Sequence, residues 1–461
     1  MSTHGQSDRA KGTTRSSRFV SNYGMLGVLL LLCLLFAVLT VDEQHPTGER
    51  AAKTLAQALK ESSDATAEEL GGGGVLIISR ESDEDRLFSR SLEEALSRGG
   101  YSHVTAISGD PAAIRSAMER LAGAGESFRL IATTEPFAPV VRAIASQIDA
   151  FEGNRIVTPP SYRWPTFLLP NNIRNVANQI SVIAIIAIGM TMVIITAGID
   201  LSSGSLIALS AVVAAWLIGH MGGESASALM MCLGSLGGIL LCGAVGAFSG
   251  LVITEFRIPP FIATLAMMQV AAGLAYIISH GVPIYQLPEG YVALGRGVEP
   301  LFGIPYAVML MVVLYIAAHI VMSRTTFGRY VYAVGGNMEA SRLAGIRVPL
   351  VLFIVYTLCG LLAGLGGVLM ASQLRSGAPT YGLTYELYVI AAVVVGGTSL
   401  SGGEGRIFGT LIGAFIIAVI QNGMNLTNVE SYTQKVVLGL VILGAVLLDR
   451  LKHQRFRLRR G

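Results

Sequence analysis

The pentapeptide Leu400-Ser401-Gly402-Gly403-Glu404, inside "GGTSLSGGEGR" (Gly396 to Arg406), has the residue types of a phosphate-holding turn. It is close to the Leu-Ser-Gly-Gly-Gln signature with which some ATPases grip a γ-phosphate. Such a signature acts only opposite a P-loop, where Gly-x-x-x-x-Gly-Lys-Ser/Thr presents backbone N–H groups and a lysine to the phosphates. No Gly-Lys pair followed by Ser or Thr occurs in the chain. The run Gly71 to Gly74 precedes the strand-like "VLIIS", whereas a phosphate loop follows a strand. The pentapeptide is therefore read as a glycine-rich turn at the inner face of a membrane. Proton-relay chemistry is also unsupported. His220, His280, His319, Glu255 and Asp449 fall at the ends of apolar segments, and Asp200 and Glu386 flank them, so no titratable chain runs mid-span. The four cysteines, Cys33, Cys232, Cys242 and Cys359, lie in apolar runs and suggest packing, not a disulfide or metal site. No catalytic residue, cofactor site or metal site is assigned, and the chain is not read as an enzyme.

The elements that must position the remaining polar residues follow from composition. With 52% apolar and 14% charged residues, against about 25% charged in soluble domains, the chain lacks the polar surface of an aqueous globule. A net charge of +3 gives no support for a nucleic-acid partner. A span needs roughly 20 apolar residues. The first is Tyr23 to Val41, preceded by Arg9, Lys11, Arg15 and Arg18, a pattern that keeps the N-terminus in the cytoplasm. Its length and the lack of an A-x-A site argue against cleavage as a signal peptide. Further spans are expected near 179–198, 205–221, 228–254, 260–279, 305–322, 348–371, 386–402, 407–421 and 434–449. Ten spans put both termini in the cytoplasm. Arg324, Arg329, Arg342 and Arg347 in one inner loop, and the basic tail, agree with that orientation. Gly234/Gly238, Gly246/Gly250 and Gly360/Gly364 recur at four-residue spacing, which lets helices approach closely.

The expected fold is an α-helical polytopic membrane protein of about ten transmembrane helices, with a small external α/β domain inserted between spans 1 and 2. Its parts are a cytoplasmic tail (1–22), the first helix (23–41), the extracytoplasmic insertion (42–165), the main transmembrane bundle (166–449) and a second cytoplasmic tail (450–461). Within the insertion, "GVLIIS" (Gly74 to Ser79), "HVTAIS" (His103 to Ser108) and "FRLIAT" (Phe128 to Thr133) read as buried strands. Helical stretches are expected near Thr47 to Leu70, Glu81 to Ser97 and Pro111 to Leu121, giving a parallel sheet with helices on its faces. "TPPSYRWP" reads as a proline-rich return to the membrane.

Four ordered blocks carry a family resemblance: "ITAGIDLSSGSLIALS" (Ile195 to Ser210), "IPPFIATLAMM" (Ile258 to Met268), "TTFGRYVYAVGGNMEASRLAGI" (Thr325 to Ile346) and "YELYVIAAVVVGGTSLSGGEG" (Tyr385 to Gly405). Together they resemble the ribose/xylose-type ABC sugar permeases of the inner membrane, over the first span and from about Phe167 onward. The resemblance implies a permease dimer in the lipid bilayer that pairs with a cytoplasmic ABC ATPase and receives a monosaccharide from an extracytoplasmic solute-binding protein. It accounts for the glycine-rich turn as the family's own G-T-S-x-x-G-G-x-G block. A membrane receptor derived from a permease, sensing ligand through its external domain, is the competing function class.

Two residue groups then become candidates. Gly335, Gly336 and Asn337 form a turn that can start a short helix with Asn337 as N-cap, on which Glu339 and Arg342 share a face. With the resemblance, these five residues are candidates for ATPase coupling; Met338 stands where the family commonly has an acid. Asp200, Ser202 and Gly204 mark a helix interruption, where free backbone groups require protein or a water-filled cavity beside them. Asp200 can bond a sugar hydroxyl or cap the helix beginning near Ser203. Phe261 and Thr264 follow Pro259-Pro260 at a kinked entry or an ordinary proline-started helix. Tyr388 stands where the family usually has Asp after "YEL", offering a hydrogen bond without charge. These six are the candidate substrate-path residues. The insertion, with length for one lobe only, is expected to dock a partner or to brace the protein more than to capture sugar alone.

Overall fold

The computed structural model describes residues 24–61, 74–101, 103–285 and 287–458, and side chains up to residue 447. The expected tail 1–22, the segment 62–70 of the leading helix and the side chains of the basic tail 450–461 lie outside the described residues. The chain divides into two units: Val41–Thr166, and a bundle made of the segment before it together with Phe167 onward.

Helix α1 (Gly24–Leu39) precedes the first unit. That unit begins with β1 (Val41–Gln44) and α2 (Gly48–Glu61), followed by β2 (Gly74–Ser79), α3 (Asp83–Arg98), β3 (Val104–Ser108), α4 (Pro111–Gly123) and β4 (Phe128–Thr133). It ends with α5 (Ala138–Ala145), β5 (Arg155–Val157) and β6 (Tyr162–Pro165). Four strands form a parallel sheet in the order β3-β2-β4-β5. All six residues of β2 are buried, as a strand covered on both faces requires. Val75, Ile77, Leu130 and Ala132 pack with Leu55, Phe88 and Leu92 of α2 and α3. Leu76, Ile78 and Ile131 pack with Ile114, Met118 and Val141 of α4 and α5. Ser82 and Asp110 start α3 and α4 by accepting from the N–H groups of Asp85 and Ala113.

The expected proline-rich return, "TPPSYRWP", ends in a strand that the sequence did not suggest. Tyr162–Pro165 pairs antiparallel with Val41–Gln44, with Val41 opposite Pro165. A proline is tolerated there because the ribbon has only two strands, so Pro165 needs no ladder N–H on its outer side.

The bundle continues with α6 (Pro170–Ile195), α7 (Ser203–Met221), α8 (Ala228–Glu255), α9 (Pro260–Ser279), α10 (Ala293–Arg296) and α11 (Tyr306–Arg324). Next come α12 (Thr326–Gly336), α13 (Met338–Leu343), α14 (Val348–Leu374), α15 (Tyr385–Val395), α16 (Ile407–Leu426) and α17 (Ser431–Leu458). Among the described residues, seven helices, α6, α7, α8, α9, α11, α14 and α16, are long and apolar enough to cross a membrane. The other three expected spans correspond to shorter apolar helices, Gly24–Leu39, Tyr385–Val395 and Ser431–Leu447. The span expected over 386–402 stops at Val395, because Gly397 takes a left-handed φ of 92° and ends the helix. The span expected to end at 421 runs on to Leu426, so Gln421, Asn422 and Asn425 are helical.

Helix α6 is the axis. Every residue from Ile180 to Ile195 is buried, which explains a sequence that is apolar all round. Its few polar groups are matched inside the bundle: the Thr191 hydroxyl donates to the Ala187 carbonyl and meets Thr410 Oγ1 at 2.7 Å. Tyr315 Oη donates to the Ala184 carbonyl at 2.9 Å.

Candidate functional site

The break between α6 and α7 re-enters the bundle. Gly366 and Gly367 of α14 sit against Ile186 of α6 and Ile207 of α7. That level is nine residues from the end of α6 and four from the start of α7. The difference of five residues, at 1.5 Å each, sets α7 about 7.5 Å inside the end of α6. The connecting loop climbs that distance, turning through Ala197 at φ 61°. Asp200 is thereby carried to a site where it is only 1% exposed.

Its two oxygens have different fates. Oδ1 accepts from the N–H of Ser202 at 2.9 Å and from the Ser202 hydroxyl at 2.6 Å, an Asx turn that sets the direction of α7. Oδ2 is buried with no N–H or O–H donor on it, and the Cys359 thiol is the neighbouring polar group. Ser202, and not Asp200, is the N-cap of α7, with no side-chain cap bond; Asp200 holds the turn that leads into it. Thr264, fully buried, donates to the Ile199 and Pro260 carbonyls and ties the first turn of α9 to the loop. Phe261, three residues earlier, is 52% exposed on the outer surface of α9. At Gly204 a Cβ would lie 2.0 Å from Glu386 Oε2 and 2.8 Å from the Gly382 carbonyl. The first turns of α7 and α15 therefore meet inside the bundle, with the Glu386 carboxylate against the positive end of α7. Half-helix termini meeting at depth are where transporters build solute sites. The structure brings Asp200, Ser202, Gly204 and Thr264 together, whereas Tyr388 lines a separate cavity described below.

A cleft of about 530 Å³ opens beneath the loop. Thr196, Gly198 and Tyr356 line its inner end, and Arg257, Glu339 and Arg342 line it as well. The Tyr356 hydroxyl is buried without a protein partner. Two groups that the sequence left apart, the α6–α7 break and the short helix α13, thus border one cavity. Tyr356 was missed because a lone tyrosine in an apolar span carries no periodic signal.

Helix α13 has the form the turn residues suggest. Asn337 Oδ1 accepts from the N–H of Ala340 at 2.9 Å. Glu339 and Arg342 approach to 3.7 Å, both largely exposed. Gly335 does something the sequence did not reveal. Its Cβ would fall 1.7 Å from the Ile195 carbonyl and 2.7 Å from the N–H nitrogen of Gly403. The Gly403 N–H donates to that same Ile195 carbonyl at 2.8 Å. Tyr332 Oη donates to the Gly405 carbonyl at 2.8 Å, and burial pushes this phenol above its usual range against the opposing pull of Arg406. The ends of α6 and α12 and the glycine-rich turn form one three-way junction. Gly402 and Gly403 take φ values of 83° and 75°, so glycine is required there. With the Gly403 amide already donated, the phosphate-like pentapeptide is a structural clasp.

Residues 172–446 match the family described as the branched-chain amino acid transport system permease component. The chain is 46% identical over 296 residues to the ribose import permease protein RbsC of Escherichia coli (strain K12), covering 63% of this chain and 88% of that protein. It is 46% identical over 290 residues to RbsC of Bacillus subtilis (strain 168), covering 62% and 87% of the two chains. To the L-arabinose ABC transporter permease protein AraH of Azospirillum brasilense it is 38% identical over 293 residues, covering 64% and 84%. No solved structure matches. The break, the clasp and α13 all lie inside the matched region, and the chain belongs to this family of ABC transport permeases.

Proposed function

We propose that the chain is the membrane subunit of an ABC importer for a pentose-type monosaccharide, working with a separate cytoplasmic ATPase and an extracytoplasmic solute-binding protein. The observation that carries this reading is the likeness to ribose and arabinose permeases across most of their length. The shorter helices α1, α15 and α17 complete ten spans, which puts both termini in the cytoplasm and residues 42–165 outside. Exposed apolar residues such as Leu229, Leu240, Ile277 and Val313 then face lipid or a second copy of the chain. On the cytoplasmic side, Leu343, 86% exposed at the end of α13, offers an apolar knob to the ATPase. Gly335, Gly336 and Asn337 set the angle of that helix. Its motion reaches the sugar path through the shared cleft below Asp200, Ser202, Gly204 and Thr264.

Replacing both Glu339 and Arg342 by Ala tests the coupling role. The exposed pair contributes at most ~0.5 kcal/mol to the fold, so protein yield and thermal midpoint are expected to stay near wild type. Sugar uptake by cells carrying the complete transporter is expected to fall to a small residue. Normal uptake by that double variant defeats the assignment.

A further inference from the structure

Helices α6, α15, α16 and α17 enclose a cavity of about 120 Å³ at the end of the bundle where α6 begins. Six hydrogen-bonding side chains line it: Gln179, Tyr385, Tyr388, Gln421, Asn425 and Gln434. None is charged. Gln434 Nε2 donates to Asn425 Oδ1 and to the Val429 carbonyl, both at 2.8 Å, so one wall is pre-set. Tyr385 and Tyr388 stand edge to face, with ring centroids 6.0 Å apart. Among the described residues, the side-chain amides of Gln179, exposed, and Gln421, half-buried, make no protein hydrogen bond, although both lie within apolar helices. Amides left open on the surface of a membrane bundle need a water-filled path or a polar ligand, because lipid offers no partner.

We infer that this cavity is an entry site for an uncharged polyhydroxy solute, a single monosaccharide ring, and that Gln179, Gln421, Asn425 and Tyr388 choose it. The assignment rests on the importer reading above, which makes this end the outer mouth. An amide donates and accepts, as a sugar hydroxyl does, so four amides can match a ring of hydroxyls without regard to polarity. The tyrosine rings give the C–H face of the sugar an apolar platform with a polar edge. A free amino acid is refused, because its ammonium and carboxylate would be desolvated with no opposite charge in the lining. Tyr388, in place of the acid usual after "YEL", keeps the site neutral.

Occupancy is read directly by thiol protection in the assembled transporter in lipid vesicles. In one variant Gln421→Cys is made with the exposed Cys232 changed to Ser; in a second, Asn425→Cys replaces Gln421→Cys, so that failure of one to assemble leaves the other. Ribose at about ten times its Kd or more is expected to slow maleimide labelling at least about tenfold, because only the empty site reacts. Leucine is expected to leave the rate unchanged. Equal rates with ribose, arabinose and leucine overturn the site while labelled ribose uptake by the unmodified transporter keeps the importer reading. Failure of the unmodified transporter to take up either sugar overturns both.

Discussion

Gly335→Ala is expected to cut sugar uptake by at least about tenfold while the protein still reaches the membrane in near-normal amount. The added methyl carbon would lie 1.7 Å from the Ile195 carbonyl oxygen, a main-chain atom that no rotamer change can move. To accommodate it, α12 must lift from the end of α6, and the bond from the Gly403 N–H to that carbonyl is strained or lost. Overpacking of this kind costs ~1–3 kcal/mol, occasionally more. That is small beside the whole bundle but large for one junction, since 1.4 kcal/mol is a factor of about ten. The expected signature is ATP turnover by the partner that continues without matching sugar entry. Gly336→Ala is the internal comparison: its added carbon meets nothing within 4 Å. If the two variants transport alike, the junction does not transmit force.

The second large effect is on stability. In Gly360→Leu the Cβ would lie 2.3 Å from the Cys242 carbonyl and 3.1 Å from the Gly246 Cα. Gly246 is its reciprocal, 2.3 Å from the Tyr356 carbonyl. Here α8 and α14 touch backbone to backbone, the close approach that glycines at four-residue spacing permit. Neither side can yield, so the loss should exceed the ~1–3 kcal/mol of ordinary overpacking. Most of the variant is expected to elute as aggregate in detergent, with the remainder unfolding well below wild type. A monodisperse variant with an unchanged midpoint would mean that the two helices are not locked at this crossing.

What the sequence made legible has a physical pattern. Elements whose signal lies in side-chain periodicity or runs were readable: the three long strands, the helices between them, and the apolar helices. Asn337 was readable because N-capping depends on a side-chain type. The clasp was not, because its contacts join glycines to carbonyls, and a main-chain atom leaves no mark in residue identity. The strand Tyr162–Pro165 is hidden by its prolines, which read as an irregular return to the membrane until a partner strand is known. The amide cavity is hidden because Gln421 stands at the end of an apolar run and reads as its boundary, with Asn425 beyond it. Only the packing of four helices shows that they meet Gln179 and Gln434. Asp200 was readable as an interruption, but the split between its two oxygens needed coordinates.

The ribbon at the foot of the α/β unit carries one more consequence. Val41 and Pro165 face each other in register, and just past them the Thr40 hydroxyl accepts from the N–H of Phe167 at 3.1 Å. The chain leaves and rejoins the bundle through adjacent doorways. The stretch between Gln44 and Tyr162 is bracketed by one ribbon, so its length can change without re-threading a single helix.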